Sequence, residues 1–250
     1  MFITALCPTL RRPKLIANTL ALWRDQDYPL ELRRLIILDD GGTYHSQAIE
    51  SLSVDLFCTD EAFPTLPNKY NFMWRRLAPA QTDAFAIWED DDLYLPGYLS
   101  GHVEALKTHR LSKPEYILTD HGQPGRLQRD HAVGRLHSSM TFHKSLIQDV
   151  GGWIDTPSPD FDLQLIAKFT EETAIKDPWP GTPGQFIYAW HTDHPHGQHF
   201  MHEGSGWWEE ARKALLALTK TEGPIHCPLP EYDKRTLQLL KAYKELAKHD

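Results

Sequence analysis

Cysteine is scarce in this sequence, and its three examples, Cys7, Cys58 and Cys227, are far apart and odd in number. That excludes a disulfide framework and a Cys-x-x-Cys zinc site. Reduced thiols in a cytoplasm-like compartment are the simple expectation. Long apolar runs are missing too. No uninterrupted stretch of about 18 apolar residues occurs, so no membrane span is expected. Met1 to Pro8 is too short before Arg11 and Arg12 to read as a signal peptide. Nor is there a surplus of positive charge: 26 basic against 34 acidic residues leave −8, whereas a chain that coats nucleic acid or anionic membrane through bulk charge is basic. What remains is a folded chain of 250 residues, 41% hydrophobic, with ample material for a buried core.

The first hundred residues alternate strands and helices. Phe2 to Cys7 is a short apolar run ended by Pro8 and Thr9, and Pro13 opens a helical pattern through Leu15, Ile16, Thr19, Leu20 and Trp23. Leu35 to Leu38 is a second strand, stopped by Asp39-Asp40-Gly41-Gly42. Val54 to Cys58 is a third, Asn68 to Ala80 a helix, and Ala84 to Trp88 a fourth strand. Such alternation predicts an α/β fold with a mainly parallel sheet flanked by helices. The second half is less regular. Helices are expected over Pro96–His109, Lys144–Val150, Asp160–Thr170, Trp207–Thr219 and Lys234–Lys248, and extended segments at Tyr116–Thr119, Met140–Phe142 and Phe186–Trp190. Neither an internal repeat nor a linker divides the chain.

The strongest chemical signal is Glu89-Asp90-Asp91-Asp92, directly after the fourth strand. Neighbouring carboxylates repel by on the order of 1 kcal/mol per pair unless a positive charge is present. A divalent cation would relieve the repulsion, and carboxylate ligands favour hard ions such as Mg²⁺ or Mn²⁺, which share their shell with substrate phosphates. An exposed acidic loop or helix cap is the plain alternative.

Several separated motifs occur in order. Phe2 to Thr9 with Arg12-Pro13, Leu35 to Gly42, and the acidic run from Trp88 to Pro96 together resemble the donor half of family 2 glycosyltransferases with the GT-A fold. Asn68-Lys69-Tyr70-Asn71 is similar to a stretch that some members carry before the fourth strand. Further on, His137 to Phe142, Val150-Gly151-Gly152-Trp153 and Ser158-Pro159-Asp160-Phe161-Asp162-Leu163 are similar to the acceptor-half motifs, with Pro159 where the family usually has Glu. Tyr188-Ala189-Trp190, followed by His194 and His196, resembles the family's Tyr-Arg-Trp segment with a downstream His.

The resemblance implies one GT-A-like domain, with 1–100 a nucleotide-sugar-binding half, 101–202 an acceptor-binding and catalytic half, and 203–250 a C-terminal helical segment. It implies transfer of a sugar from a nucleotide-sugar donor, a UDP-sugar first among them, to an acceptor hydroxyl with inversion. Asp91 is then expected to bind Mn²⁺ or Mg²⁺, with Asp92 and His196 beside it and Asp90 facing ribose or metal. The nucleotide is expected near Pro8, Thr9, Asp39 and Asp40, at the carboxyl ends of the strands, with Arg12 and Lys69 as cations for the donor. Asp160 is the expected base and Asp162 its alternative.

The acceptor is open: a glycan, a small metabolite, a protein or a hydroxymethylated DNA base, the last suggested by the local basic patch of Arg126, Arg129, His131 and Arg135. Two other classes compete. A nucleotidyltransferase would share fold and metal, but a Gly-rich phosphate loop with an embedded Arg is missing after the first strand. A sugar-nucleotide-binding module without turnover is suggested by Pro159. The histidines from His191 to His202 lack the His-Glu-x-x-His spacing of a helical zinc site.

Overall fold

The computed structural model describes residues 1–121, 123, 125–156, 158, 160–182, 184–189 and 224–248. Its centre is an eight-stranded sheet in the order β11-β7-β10-β5-β1-β2-β4-β3. The strands β1 (Ile3–Thr9), β2 (Arg33–Asp39), β4 (Val54–Cys58) and β5 (Ala84–Ile87) form its parallel middle. Antiparallel β3 (Gln47–Ile49) closes one edge, and β10 (Thr141–His143), antiparallel to β5, leads to β7 (Leu111–Ser112) and β11 (Ile175–Lys176) at the other.

Strand alternation splits the core into two layers. Ile3, Ala5 and Cys7 of β1, Leu35 and Ile37 of β2, and Ala84 and Ala86 of β5 face one cluster. It takes in Ile16, Leu20 and Trp23 of α1 (Pro13–Arg24), Leu99 and Leu106 of α3 (Tyr98–Leu106), and Leu239 of the C-terminal helix Lys234–Leu246. Leu6, Ile36, Leu38, Phe85 and Ile87 face the other, against Tyr70 of α2 (Leu66–Phe72), Leu146 and Ile147 of α4 (Lys144–Asp149), and Leu165 and Phe169 of α5 (Phe161–Glu172). Apolar side chains on both faces are why these strands read as continuous runs rather than alternating ones.

A second sheet, β6-β12-β8-β9, is built from β6 (Leu93–Tyr94), β12 (Phe186–Tyr188), β8 (Tyr116–Thr119) and β9 (Gln128–His131). Its outer strand β9 carries exposed Arg129 and His131, with the Arg129 guanidinium 4.7 Å from the Tyr116 ring centre. The expected helix over 68–80 begins earlier, at Leu66, where Thr65 caps it by accepting the Asn68 amide. It then widens into a π turn over Met73–Leu77. The short strands β3, β6, β7, β9 and β11 have no signal in the sequence pattern, being two to four residues long. The helix expected over 207–219 and the histidine-rich segment 191–202 lie outside the described residues.

Candidate active site at the carboxyl ends of the central strands

The site follows from the strand order. The chain runs from β1 to β2 on one side and returns to β5 on the other, so a crevice opens at the carboxyl ends where the direction reverses. Parallel register sets Thr9 beside Asp39, and the Trp88 amide donates to the Leu6 carbonyl, 3.0 Å. The Asp39-Asp40 loop and the acidic run therefore meet on either side of Thr9, although fifty residues of sequence separate them.

The acidic run owes its shape to aromatic packing. Trp88 stacks on Tyr94, ring centres 4.0 Å apart, and meets Trp23 edge-on at 5.1 Å. The Tyr94 hydroxyl accepts the Glu89 amide at 2.7 Å, which folds the acidic residues back over the strand end. Asp90, Asp91 and Asp92 are all buried, so their charge needs local compensation.

A protein cation supplies part of it. Arg12 Nη1 donates to Asp90 Oδ1 at 2.8 Å and Asp91 Oδ2 at 3.1 Å, and Thr9 Oγ1 donates to Asp90 Oδ2 at 2.6 Å. Burial, with Asp91 adjacent, still raises the Asp90 carboxyl against the opposing pull of Arg12. Lys69 Nζ donates to Asp40 Oδ1 at 2.6 Å and to the Thr9 carbonyl at 2.5 Å. Asp92 Oδ1 accepts the Ala189 amide at 3.3 Å, tying the end of β12 to the same corner. Thr9, Arg12, Asp40, Lys69, Asp90 and Asp91 thus form one connected network.

Asp39 and Pro8 sit deeper. Pro8 is buried within β1. Asp39 is fully buried and accepts the Arg11 amide at 2.9 Å and the Thr43 amide at 2.8 Å, so it braces both loops of the crevice. Arg11 adopts the left-handed conformation, φ 54°, and this turn delivers Arg12 to the aspartates just before Pro13 starts α1.

Across from that network lies a second group. Glu89 accepts from the Tyr70 hydroxyl at 3.4 Å, and its Oε1 lies 3.1 Å from His137 Nε2. Burial, then the charges of Asp91, Asp162 and Asp90, push the Glu89 carboxyl well above the ordinary range, with Arg12 opposing. Burial lowers His137 to about 4, so the imidazole is neutral at pH 7. Leu136, left-handed at φ 59°, turns His137 inward, and buried Lys113 holds that turn through the Leu136 carbonyl at 3.1 Å and Ser139 Oγ at 2.8 Å. Desolvation brings Lys113 down to about 7.

The two expected base residues differ in placement. Asp160 is exposed at the start of α5 and pairs locally with Ser158, 3.4 Å away. Asp162 is half-buried, and its charge acts on Glu89, His137, Lys113 and Tyr188. Pro159 and His196 lie outside the described residues.

Sequence reasoning passed over Glu89, Tyr70, His137 and Lys113 as individual site residues. Glu89 and Tyr70 stood inside the motifs quoted for their neighbours, whereas Lys113 carries no motif at all. The Gly151-Gly152-Trp153 turn explains the placement of Tyr70. Trp153 stacks on Tyr70 at 4.8 Å, while the Asn71 side chain takes the Trp153 amide and donates to its carbonyl at 2.8 Å.

Among the described residues no group of three or more His, Cys, Asp or Glu side chains is placed to hold a metal ion by itself. Asp90, Asp91 and Asp92 are the carboxylates gathered at this strand end, and an oxygen-only set of one or two carboxylates is the kind that Mg²⁺ or Mn²⁺ shares with phosphate oxygens. No described helix is long and apolar enough to cross a membrane.

An α/β domain with a crevice at the carboxyl ends of its parallel strands, edged by an aspartate run, has the GT-A-like fold of glycosyltransferases. Among solved structures, residues 1–349 of S. aureus TarS in complex with UDP-GlcNAc match with a TM-score of 0.61 at 11% identity, covering 100% of this chain and 74% of that one. The mannosyltransferase PcManGT from Pyrobaculum calidifontis, in complex with GDP-Man and Mn²⁺, matches with a TM-score of 0.57 at 17% identity over 98% and 74% of the respective chains. Against the longer S. aureus TarS chain the TM-score is 0.60 at 12% identity, with 76% of this chain aligned to 37% of that one. At such identities the likeness is one of fold. No protein-family model and no curated protein matches the sequence.

Proposed function

We propose that this protein is a nucleotide-sugar-dependent glycosyltransferase whose donor diphosphate binds between Arg12, Lys69 and the aspartates after Trp88. The observation that carries the reading is the convergence of Thr9, Arg12, Asp40, Lys69, Asp90 and Asp91 in one buried network at the strand switch point. Folds alone do not assign activity; the reading is supported by Arg12 against Asp90 and Asp91, with Lys69 on Asp40 beside them, a charge pattern suited to a diphosphate bound with a divalent ion. The GT-A-like neighbours that contain UDP-GlcNAc, or GDP-Man with Mn²⁺, support the same donor class.

In sugar transfer, negative charge accumulates on the departing diphosphate. Arg12 and Lys69, partly and almost fully buried, would stabilise it where water weakens the interaction less than at an open surface. Asp91, with Asp92 beside it, would hold Mn²⁺ or Mg²⁺, which when bound supplies Lewis-acid neutralisation of the phosphates. Asp39 shapes the nucleotide end by bracing the Arg11 and Thr43 loops.

The acceptor hydroxyl needs a base. Asp162 is the better placed carboxylate, because it shares its surroundings with Glu89 and His137, whereas Asp160 is exposed. A single base acting opposite the leaving diphosphate gives inversion. Burial and the neighbouring aspartates push the Glu89 carboxyl above its ordinary range, which disfavours a fourth negative charge beside Asp90, Asp91 and Asp92.

The test is a thermal-shift screen of UDP- and GDP-sugars with and without Mn²⁺, followed by donor hydrolysis. A donor that stabilises the fold and is slowly hydrolysed only with the metal is the expected result, with Asp91→Ala losing both effects. Donor binding without turnover under any acceptor would make the protein a binding module. Release of pyrophosphate from a nucleoside triphosphate would make it a nucleotidyltransferase.

A further inference from the structure

Arg12 occupies the place where the aspartate run demands positive charge. One guanidinium nitrogen reaches both Asp90 and Asp91, at 2.8 and 3.1 Å, and the side chain is 18% exposed. A divalent ion bridging Asp91 to a diphosphate needs the same carboxylate oxygens, and two cations on one carboxylate repel each other.

We propose that Arg12 is a built-in counter-cation that withholds Asp91 from free metal, so that the divalent ion and the nucleotide diphosphate are taken up as a pair. The inference rests on the donor-site reading above. The exchange is chemically even: the guanidinium fork that pairs with carboxylates pairs equally well with phosphate oxygens, so Arg12 leaves Asp91 only when an anion arrives to receive it.

The local structure suits a side chain that swings while its backbone stays put. Arg11 is fixed in its left-handed turn by its amide on Asp39 and by Nε on the Gly41 carbonyl at 3.0 Å. A side chain on residue 41 would crowd that turn, because a Cβ there would lie 2.6 Å from Arg11 Cγ. Pro13 then starts α1 immediately after Arg12. With the turn held on both sides, an exchange of partners by Arg12 needs only its side chain to move.

Linkage makes the coupling reciprocal: the factor by which UDP tightens Mn²⁺ equals the factor by which Mn²⁺ tightens UDP. The test is calorimetric titration of Mn²⁺ into the full chain, alone and with saturating UDP, for the wild type, Arg12→Gln and Arg12→Lys. In the wild type, UDP is expected to tighten Mn²⁺ by about tenfold or more, within the usual range of coupling. Arg12→Gln, which removes the guanidinium charge from Asp90 and Asp91, is expected to bind Mn²⁺ alone about tenfold tighter than the wild type and to lose most of the UDP enhancement.

Arg12→Lys keeps the charge without the fork and should fall between. Mn²⁺ alone should also raise the Tm of Arg12→Gln more than that of the wild type, which reports on folding at the same time. Equal Mn²⁺ affinity with and without UDP in the wild type overturns the proposal. So does an Arg12→Gln protein that gains no affinity for Mn²⁺ alone; should that variant not fold, the same comparison on Arg12→Lys decides. UDP binding that survives either negative result leaves the donor site standing, whereas a wild type that binds neither UDP nor any donor overturns both readings.

Discussion

The two halves of the crevice are built by different means. On the donor side, every contributing loop leaves the carboxyl end of a parallel strand, and the ladder β2-β1-β5 brings those ends together whatever the loops contain. Side chains at or just past strand ends are therefore predictable partners: Thr9 meets Asp90 and Arg12 meets Asp90 and Asp91, with Lys69 of α2 reaching in to Asp40. On the side proposed for the acceptor, the residues come from a left-handed turn at Leu136, the start of α5 and a buried lysine before β8. Their meeting depends on tertiary packing, not on a repeating ladder. Strand order can thus specify a charge site from sequence, whereas a proton-transfer site built from turns cannot be located to one residue.

The sharpest test of this contrast is the choice between the two aspartates of the Asp160-Phe161-Asp162 segment. Asp162→Asn is expected to lower kcat by about 10²- to 10⁴-fold with donor KM little changed, while Asp160→Asn costs less than about tenfold. Steady-state kinetics with a fixed acceptor reads the split, and the reverse ranking would put the base on the exposed side of α5.

On the donor side, Lys69→Met leaves Asp40 buried with its cation removed. A loss of about 3–5 kcal/mol in urea unfolding is expected, the usual cost of breaking a buried pair. A loss under about 1 kcal/mol would mean that the pair is effectively solvated.

Next in expected size is the Gly151-Gly152 turn that leads into Trp153. Both residues have positive φ, 76° and 91°, but a Cβ on Gly152 would run into the Asn71 side chain, whereas one on Gly151 meets nothing within 4 Å. Gly152→Ala is therefore expected to cost about 2–3 kcal/mol and Gly151→Ala about 1 kcal/mol in thermal unfolding. Equal costs would show that Asn71 yields and does not position Trp153.

The effect that is smallest at neutral pH, and grows only in acid, is the titration of a buried histidine. His102, fully buried with Nδ1 2.8 Å from Ser112 Oγ, is lowered from 6.5 to about 3 by burial and secondarily by Lys113. Below pH 6.5 the unfolded chain takes up this proton and the folded one does not. His102 therefore contributes a loss of stability as pH falls toward about 3, with a slope of about 1.4 kcal/mol per pH unit. His102→Gln keeps a partner for Ser112 without the titration, and its acid limb should be shallower by that slope.

By itself, the sequence determined the α/β class, the four parallel strands and the loops that end them. Apolar runs bounded by Pro, Gly and Asp encode these locally, and a sheet buried on both faces leaves little freedom in how they pair. It also determined that the residues after Trp88 require a positive partner, since four adjacent carboxylates repel wherever they are placed. Only the tertiary structure decided that Arg12 is such a partner, that Asp39 braces two loops and that Glu89 faces His137. Apart from the Asp39–Thr43 contact, those relations join residues 28 to 79 positions apart in sequence. No periodicity extends across such a gap, so the side-chain partners exist only once the core has closed.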